Sequence, residues 1–302
     1  VDIRETTIDD IAAFYEIRKA LFPWQVATLA AQQSWFRTVP AAGKPLRLSA
    51  EVAGKVVAFS GGGLNTSTSE EGAAWCNVSV LPGFQGQGLG SALLTQMEVH
   101  LRANGAKRTQ AWGLDGDGVQ HFAEKHGFAR GASLRYSFVD TGNLPAMPPV
   151  PDGITFQTIG EVGPDVLYDL DTEATQDEPN DIPFESMPKD EWLQRFWNTP
   201  DMSHDVSIVA LVDGVAAAAT FVEVNPETGR AWASGTGTLR AYRGRGLAKL
   251  AKSVSLRKAA AVGVTHAYTS NDYSNVPMLA INDWLGYQVM ATQWSYLKDL
   301  SC

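Results

Sequence analysis

Apolar residues recur along the chain in two alternating registers, and the order of those registers repeats. Residues 46–52 and 55–64 are two apolar-rich stretches separated by Ala53-Gly54, and 206–212 with 215–224 flank Asp213-Gly214 in the same way. Short β-branched runs on either side of such a dipeptide predict β-hairpins. A further strand is predicted at 73–80 in the first half and at 230–239 in the second, each running into a glycine-rich turn. After the turn, Leu89, Leu93, Met97 and Leu101 recur every four positions, as do Leu247, Leu250, Ala251 and Val254 at helical spacing. These are apolar faces of helices, and each helix meets a stop signal, Gly105 or Gly263. A strand near 107–112 or 264–270, another helix, and final strands near 134–140 and 288–297 complete the two series. Short alternating segments at 3–6 and 154–159 open them.

The two series are an internal repeat. VSVLPGFQGQGLGSALL (78–94) superimposes on TGTLRAYRGRGLAKLAK (236–252), with Gln85 on Arg243, Gly86 on Gly244, Gly88 on Gly246 and Leu89 on Leu247. KHGF (125–128) falls on WLGY (284–287). Between the halves, TGNLPAMPPVPDG (141–153) has the proline content of an exposed, semi-stiff connector. A chain of 302 residues accommodates two such domains. The expected division is 1–143, a linker at 144–152, and 153–302.

Charge separates the halves. All of the net charge of −9 lies after residue 150, an acidic balance that argues against a nucleic-acid partner. Asp152 to Glu191 is strongly acidic with Lys189 as its one base, whereas Arg240 to Lys258 is basic throughout with no acid. One surface suits a cation and another an anion. The longest apolar run, 209–224, is interrupted by Asp213 and Gly214, so no membrane span is expected. VDIRETTIDDI is polar and lacks the pattern of a secretory signal. Cys76 and Cys302 form no disulfide framework, which favours a reducing, cytoplasmic compartment. The two cysteines and five histidines show no ligand spacing, so no metal is expected.

A strand that enters a tight glycine turn and opens a helix gathers unpaired N–H groups and a positive dipole end around one point, which suits phosphate. A nucleotide P-loop is excluded, because no glycine is followed by Gly-Lys-Ser/Thr at the required spacing. A dinucleotide fingerprint is weak, because Ser91 stands at the third glycine and about three strands precede the turn. The remaining pattern is Val80-Leu81-Pro82 followed by Gln85-Gly86-Gln87-Gly88-Leu89-Gly90, with Arg243-Gly244-Arg245-Gly246-Leu247-Ala248 in the second copy. It resembles the pyrophosphate-binding motif of the GCN5-related N-acetyltransferase (GNAT) family.

The resemblance covers both halves. It implies an α/β chain of two tandem GNAT-like domains, each a mixed, mostly antiparallel splayed sheet flanked by helices. It implies acetyl-CoA as donor, held by the two turns, with Val78 and Val80, or Thr236 and Thr238, offering backbone groups to the pantetheine and thioester. Asn271 and Asn275 resemble asparagines that contact the cofactor in this family; turn and N-cap roles account for them equally well. The first copy has Gly113, Asp115, Asp117 and Gly118 there, and acids beside a phosphorylated ligand are unfavourable. The second domain is therefore expected to be catalytic.

The implied reaction is acetyl transfer to a primary amine of a small, cationic molecule by direct attack in a ternary complex. The family's usual acid, a tyrosine four residues before the Gly-aromatic step, is replaced by Ala123 and Asn282. Tyr273 is the nearest alternative; His121 and His126, on the matching helix of the first copy, suit a solvent-facing role better. Asp177, Glu178 and Asp181, in the acidic stretch, are candidates for drawing in the amine, although a solvated helix face and loop would show the same charges. A non-catalytic acyl-CoA-binding protein is the alternative from a different class. The oligomeric state is left open.

Overall fold

The computed structural model describes residues 2–301; Cys302 lies outside them. The first half contains β1 (Asp2–Glu5), α1 (Ile11–Leu21), α2 (Leu29–Thr38), β2 (Leu46–Val52), β3 (Lys55–Leu64), β4 (Ala73–Val80), α3 (Leu89–Ala103), β5 (Arg108–Leu114), α4 (Asp117–Lys125) and β6 (Ala129–Asp140). The second contains β7 (Ile154–Thr158), α5 (Ile159–Val162), α6 (Pro164–Thr175), α7 (Lys189–Trp192), β8 (Ile208–Val212), β9 (Val215–Asn225), β10 (Arg230–Thr238), α8 (Leu247–Ala261), β11 (His266–Asp272), α9 (Val276–Leu285) and β12 (Gln288–Asp299). The hairpin turns form at the expected dipeptides. Ala53 and Gly54 have φ of 51° and 75°, and Asp213 and Gly214 have 49° and 82°, the paired positive angles of a type I′ turn.

All twelve strands join one sheet in the order β1-β2-β3-β4-β5-β12-β6-β11-β10-β9-β8-β7. The sequence pattern assigns each final strand to its own half. The sheet exchanges them instead. β12 pairs antiparallel with β5, from Gln293 opposite Leu114 to Asp299 opposite Arg108, and β6 pairs antiparallel with β11. β6 and β12 lie side by side at the centre. The two halves are thus stitched by backbone ladders, and Tyr296 and Leu300 of the second half complete the first half's core with Leu94, Met97 and Leu101.

Each half keeps one parallel pair, and both pairs are short. β4 meets β5 only over Ala73–Trp75, and β10 meets β11 only over Arg230–Trp232. Beyond those residues the strands diverge, leaving Cys76–Val80 and Ala233–Thr238 with one unpaired edge each. Two V-shaped clefts result. α3 and α8 lie across one face of the sheet, and α1, α2, α6 and α7 across the other.

The loops over that second face also cross between halves. Residues 22–28 reach the second half, where Pro23 and Val26 carbonyls accept from Arg230 (2.7 Å) and Asn225 (2.8 Å), and Thr28 donates to Asp201 (2.6 Å). Residues 176–188 cross the other way: Asp181 accepts from the Ala132 N–H (2.8 Å) and Glu185 N–H donates to Ser67 (2.9 Å). Among the described residues no helix is long and apolar enough to cross a membrane.

Candidate functional site

The two glycine turns have the same geometry. Gly86 and Gly88 have φ of 74° and 84°, Gly244 and Gly246 of 78° and 75°, and nothing lies within 4 Å of the place a Cβ would take at any of the four. A side chain there would be strained and would fill the open space in front of α3 or α8. The first residue of each motif fixes the turn to its strand: Gln85 Nε2 donates to the Val80 carbonyl (3.0 Å) and Arg243 Nε to the Thr238 carbonyl (3.1 Å). Gln87, Leu89 and Gly90, with Arg245, Leu247 and Ala248, complete the turns and the first helical turns. The N–H groups opening these helices lack intrahelical partners and point at the space in front.

Strand parity directs the backbone into the clefts. Leu81 N–H bonds Val57, and Leu239 N–H bonds Ala217, on the outer neighbour strands. Alternation along the ladder then turns Val78 and Val80, and Thr236 and Thr238, toward the open edge.

The two vertices differ. In the second half a β-bulge at Ser234 interrupts the register between Ala233 and Gly235; β3 and β4 pair without interruption. Glu223, opposite Trp232, projects on the α6 side of the sheet beside this bulge. Burial and the nearby Asp201 carboxylate push its carboxyl up to about 7, against a hydrogen bond from Ser234 that lowers it. The matching residue in the first half, opposite Trp75, is Gly63. A Cβ on Gly63 would stand 2.7 Å from the Gly43 carbonyl, so that site holds no side chain.

Three aromatic rings from three elements frame the second vertex. Trp24, from the crossing loop, lies 6.3 Å from Tyr136 of β6, which lies 5.7 Å from Trp232 of β10. Sequence reasoning missed Trp24, Tyr136 and Glu223. For Glu223 a signal existed: it is an acid inside the apolar strand ATFVEV.

Several expected site residues are engaged elsewhere. Asp177 accepts from Arg240 (2.8 Å) and Arg243 (2.7 Å), which hold its carboxyl well below the usual range. Asp181 faces β6 of the first half. These two carboxylates therefore do not form an open trap for a cation, a correction to the reading of the acidic stretch. Glu178 remains, raised by burial and by Asp171 and Asp272. Asn275 caps α9 through the Met278 N–H (3.3 Å), and Asn271 accepts from Asn282 (2.6 Å). Tyr273 stands five residues beyond Tyr268, the last residue paired to β10, roughly 16 Å along the strand. Its exposed hydroxyl turns to Thr292 (3.3 Å), so the structure does not bring it to the vertex. His126 bonds Ser91 (2.8 Å) and packs on Phe122 (4.6 Å) rather than facing solvent freely. Among the described residues no cluster of His, Cys, Asp or Glu could hold a metal ion.

The family model described as "Acetyltransferase (GNAT) family" matches residues 11–128. Residues 11–128 thus match that family, and the chain as a whole has the fold of tandem GNAT proteins. A GCN5-related N-acetyltransferase from Sphaerobacter thermophilus superimposes with a TM-score of 0.75 at 17% identity, covering 99% of this chain and 95% of that one. A tandem GNAT protein from the clavulanic acid biosynthesis pathway gives 0.78 at 19% identity, covering 99% and 98%. A glucosamine N-acetyltransferase region of a fungal multi-domain beta-N-acetylglucosaminidase gives 0.68 at 16% identity, covering 98% of this chain and 38% of that one. No curated protein matches the chain.

Proposed function

We propose that the protein transfers an acetyl group from acetyl-CoA to the primary amine of a small molecule, by direct attack in a ternary complex in the second cleft. The observation that carries this reading is Glu223, a carboxyl poised near neutrality at the bulged vertex, where the first half has Gly63. The residues suit the donor. Gly244 and Gly246 leave open space before the N–H groups of α8, Arg243 and Arg245 add positive charge, and the free edge of β10 offers ladder partners to a pantetheine arm. When bound, the thioester supplies the activated acetyl group.

Glu223 faces the side from which the amine enters, between the 22–28 loop and β10. There it accepts the proton that an ammonium must lose before it can attack. N–H groups at the bulge are suited to the charge that develops on the carbonyl oxygen. The rings of Trp24, Tyr136 and Trp232 suit an acceptor with an apolar body, while the buried Arg18 guanidinium near Tyr136 opposes a second cation beside that ring. For the first half, Gly63 and Ala123 favour a second reading, an acyl-CoA-binding unit without chemistry.

The test is release of free CoA from acetyl-CoA in the presence of a panel of polyamines, amino sugars and aralkyl amines. Turnover with at least one class, cut by roughly 100-fold or more in Glu223→Gln, is expected. No turnover with any amine, or full activity in Glu223→Gln, would overturn the assignment.

A further inference from the structure

On the face of the sheet opposite Glu223, α8 carries Lys252, only 3% exposed and with no ion pair among the described residues. Its Nζ lies 5.3 Å from the centre of the Tyr287 ring, whose buried hydroxyl also has no hydrogen-bond partner. Both line a cavity of about 10 Å³, enough for about one water, with Thr220, Ala231, Ala233 and Ala267. Ala231 and Ala233 flank Trp232, the last residue of β10 paired to β11. The cavity is therefore directly under the vertex of the second cleft. In the first half the matching positions are Leu94 and Phe128, both apolar and buried.

An ammonium buried without a counter-ion is strongly disfavoured. The corresponding Leu94 shows that the fold accepts an apolar side chain at that place. The position therefore suits an anion that arises at the vertex. From Ala233 to Thr238, β10 spans roughly 16 Å, a length that an extended pantetheine arm covers from the glycine turn. Its sulfur end then arrives at the vertex.

We propose that Lys252 is the acid that protonates the departing sulfur, with the Tyr287 hydroxyl beside it. This rests on the reading of the second cleft as the acetyl-transfer site. With the ammonium's first proton already passed through Glu223 to solvent, the amine nitrogen forms its bond to the carbonyl carbon and gives its second proton to Glu223. The carbon–sulfur bond breaks, the electron pair goes to sulfur, and sulfur takes a proton from Lys252 Nζ. Solvent then reprotonates Lys252 and receives the proton from Glu223 as the products leave. The carboxyl and the ammonium thus act from opposite faces of one splayed sheet.

Burial pushes the Lys252 ammonium down to about 8, within reach of a thiol leaving group. Tyr287 is the one other titratable side chain on the cavity; β9 presents Thr220 and Val222, β10 and β11 present alanines, and α8 itself adds Ser255, Leu256 and Ala259.

The test needs no acceptor. CoA is bound to Gly88→Val protein, in which only the second cleft is read, and to the same protein carrying Lys252→Leu. The thiol of bound CoA is then titrated by the ultraviolet absorbance of its thiolate. With Lys252 present, bound CoA should show about tenfold more thiolate at a given pH than free CoA, a shift of one unit. With Lys252→Leu it should titrate like free CoA or higher. Should the leucine variant not fold, Lys252→Met takes its place. Identical titrations with and without Lys252 overturn the proposal while leaving the second cleft as the CoA site. Calorimetry showing no CoA bound to Gly88→Val protein overturns that underlying reading as well.

Discussion

Glu223 can be tested without knowing the acceptor, because its environment makes folding depend on pH. In the unfolded chain its carboxyl titrates near the ordinary 4.5, and in the folded protein near 7. Between those values the folded state holds more protons, so Glu223 contributes stability below about pH 4.5 that is lost as pH rises through 7. The full shift corresponds to about 3 kcal/mol. The carboxylate is half-buried and keeps some solvent contact, which reduces the effect to between about 1 and 3 kcal/mol. Glu223→Gln keeps the shape and removes the charge. Relative to wild type it should be equally stable at pH 4.5 and more stable by that amount at pH 8. For a chain of 302 residues this is roughly 2–5 °C in melting temperature. Asp171 also titrates upward in the fold and cancels in the difference between the two proteins, whereas Asp201, which is coupled to Glu223, loses a neighbouring like charge in the variant and adds to the difference in the same direction. Denaturant unfolding of both across pH 4.5–8 reads the effect. A difference that stays flat over that range would refute the argument that this carboxyl is poised near neutrality.

Two further predictions follow from the cleft's surroundings. Asp177→Asn should leave the melting temperature nearly unchanged, since its ion pairs are solvent-exposed, while tightening acetyl-CoA binding at low ionic strength by freeing Arg240 and Arg243. Calorimetry at two salt concentrations measures it, and weaker binding would contradict it. Trp24→Ala removes a wall contributed by the first half to the second cleft. It should raise KM for the amine with little change in acetyl-CoA affinity, and an unchanged KM would show that the crossing loop does not face the acceptor.

The repeat, the hairpins and the glycine turns were legible in the sequence because each rests on local chemistry. Asp213-Gly214 turns a chain wherever it occurs, and Gly86, Gly88, Gly244 and Gly246 take positive φ for the same local reason. The exchange of β6 and β12 was not legible. Their alternating patterns would suit either neighbour, since a strand pairs through its backbone and its side chains only set the faces. The crossing loops were hidden for a related reason: Asp177 and Asp181 are equally acidic whether they face solvent, an amine, or Arg240 and the Ala132 N–H. Glu223 was masked by the opposite habit, that of assigning every residue of an apolar strand to the core. Lys252 was counted with a basic surface run, although the helical spacing of Leu247, Leu250, Ala251 and Val254 places it close to the apolar face.

The family model matches the first half by sequence, while Glu223, the Ser234 bulge and Lys252 all belong to the second. Which cleft holds the donor is therefore the central question, and isothermal titration with acetyl-CoA answers it most directly. Gly88→Val and Gly246→Val each place a β-branched side chain at a positive φ in front of one helix only. Wild type and Gly88→Val should both bind acetyl-CoA at a site that Gly246→Val removes. Binding that survives Gly246→Val unchanged and disappears in Gly88→Val would place the donor in the first half and contradict the account.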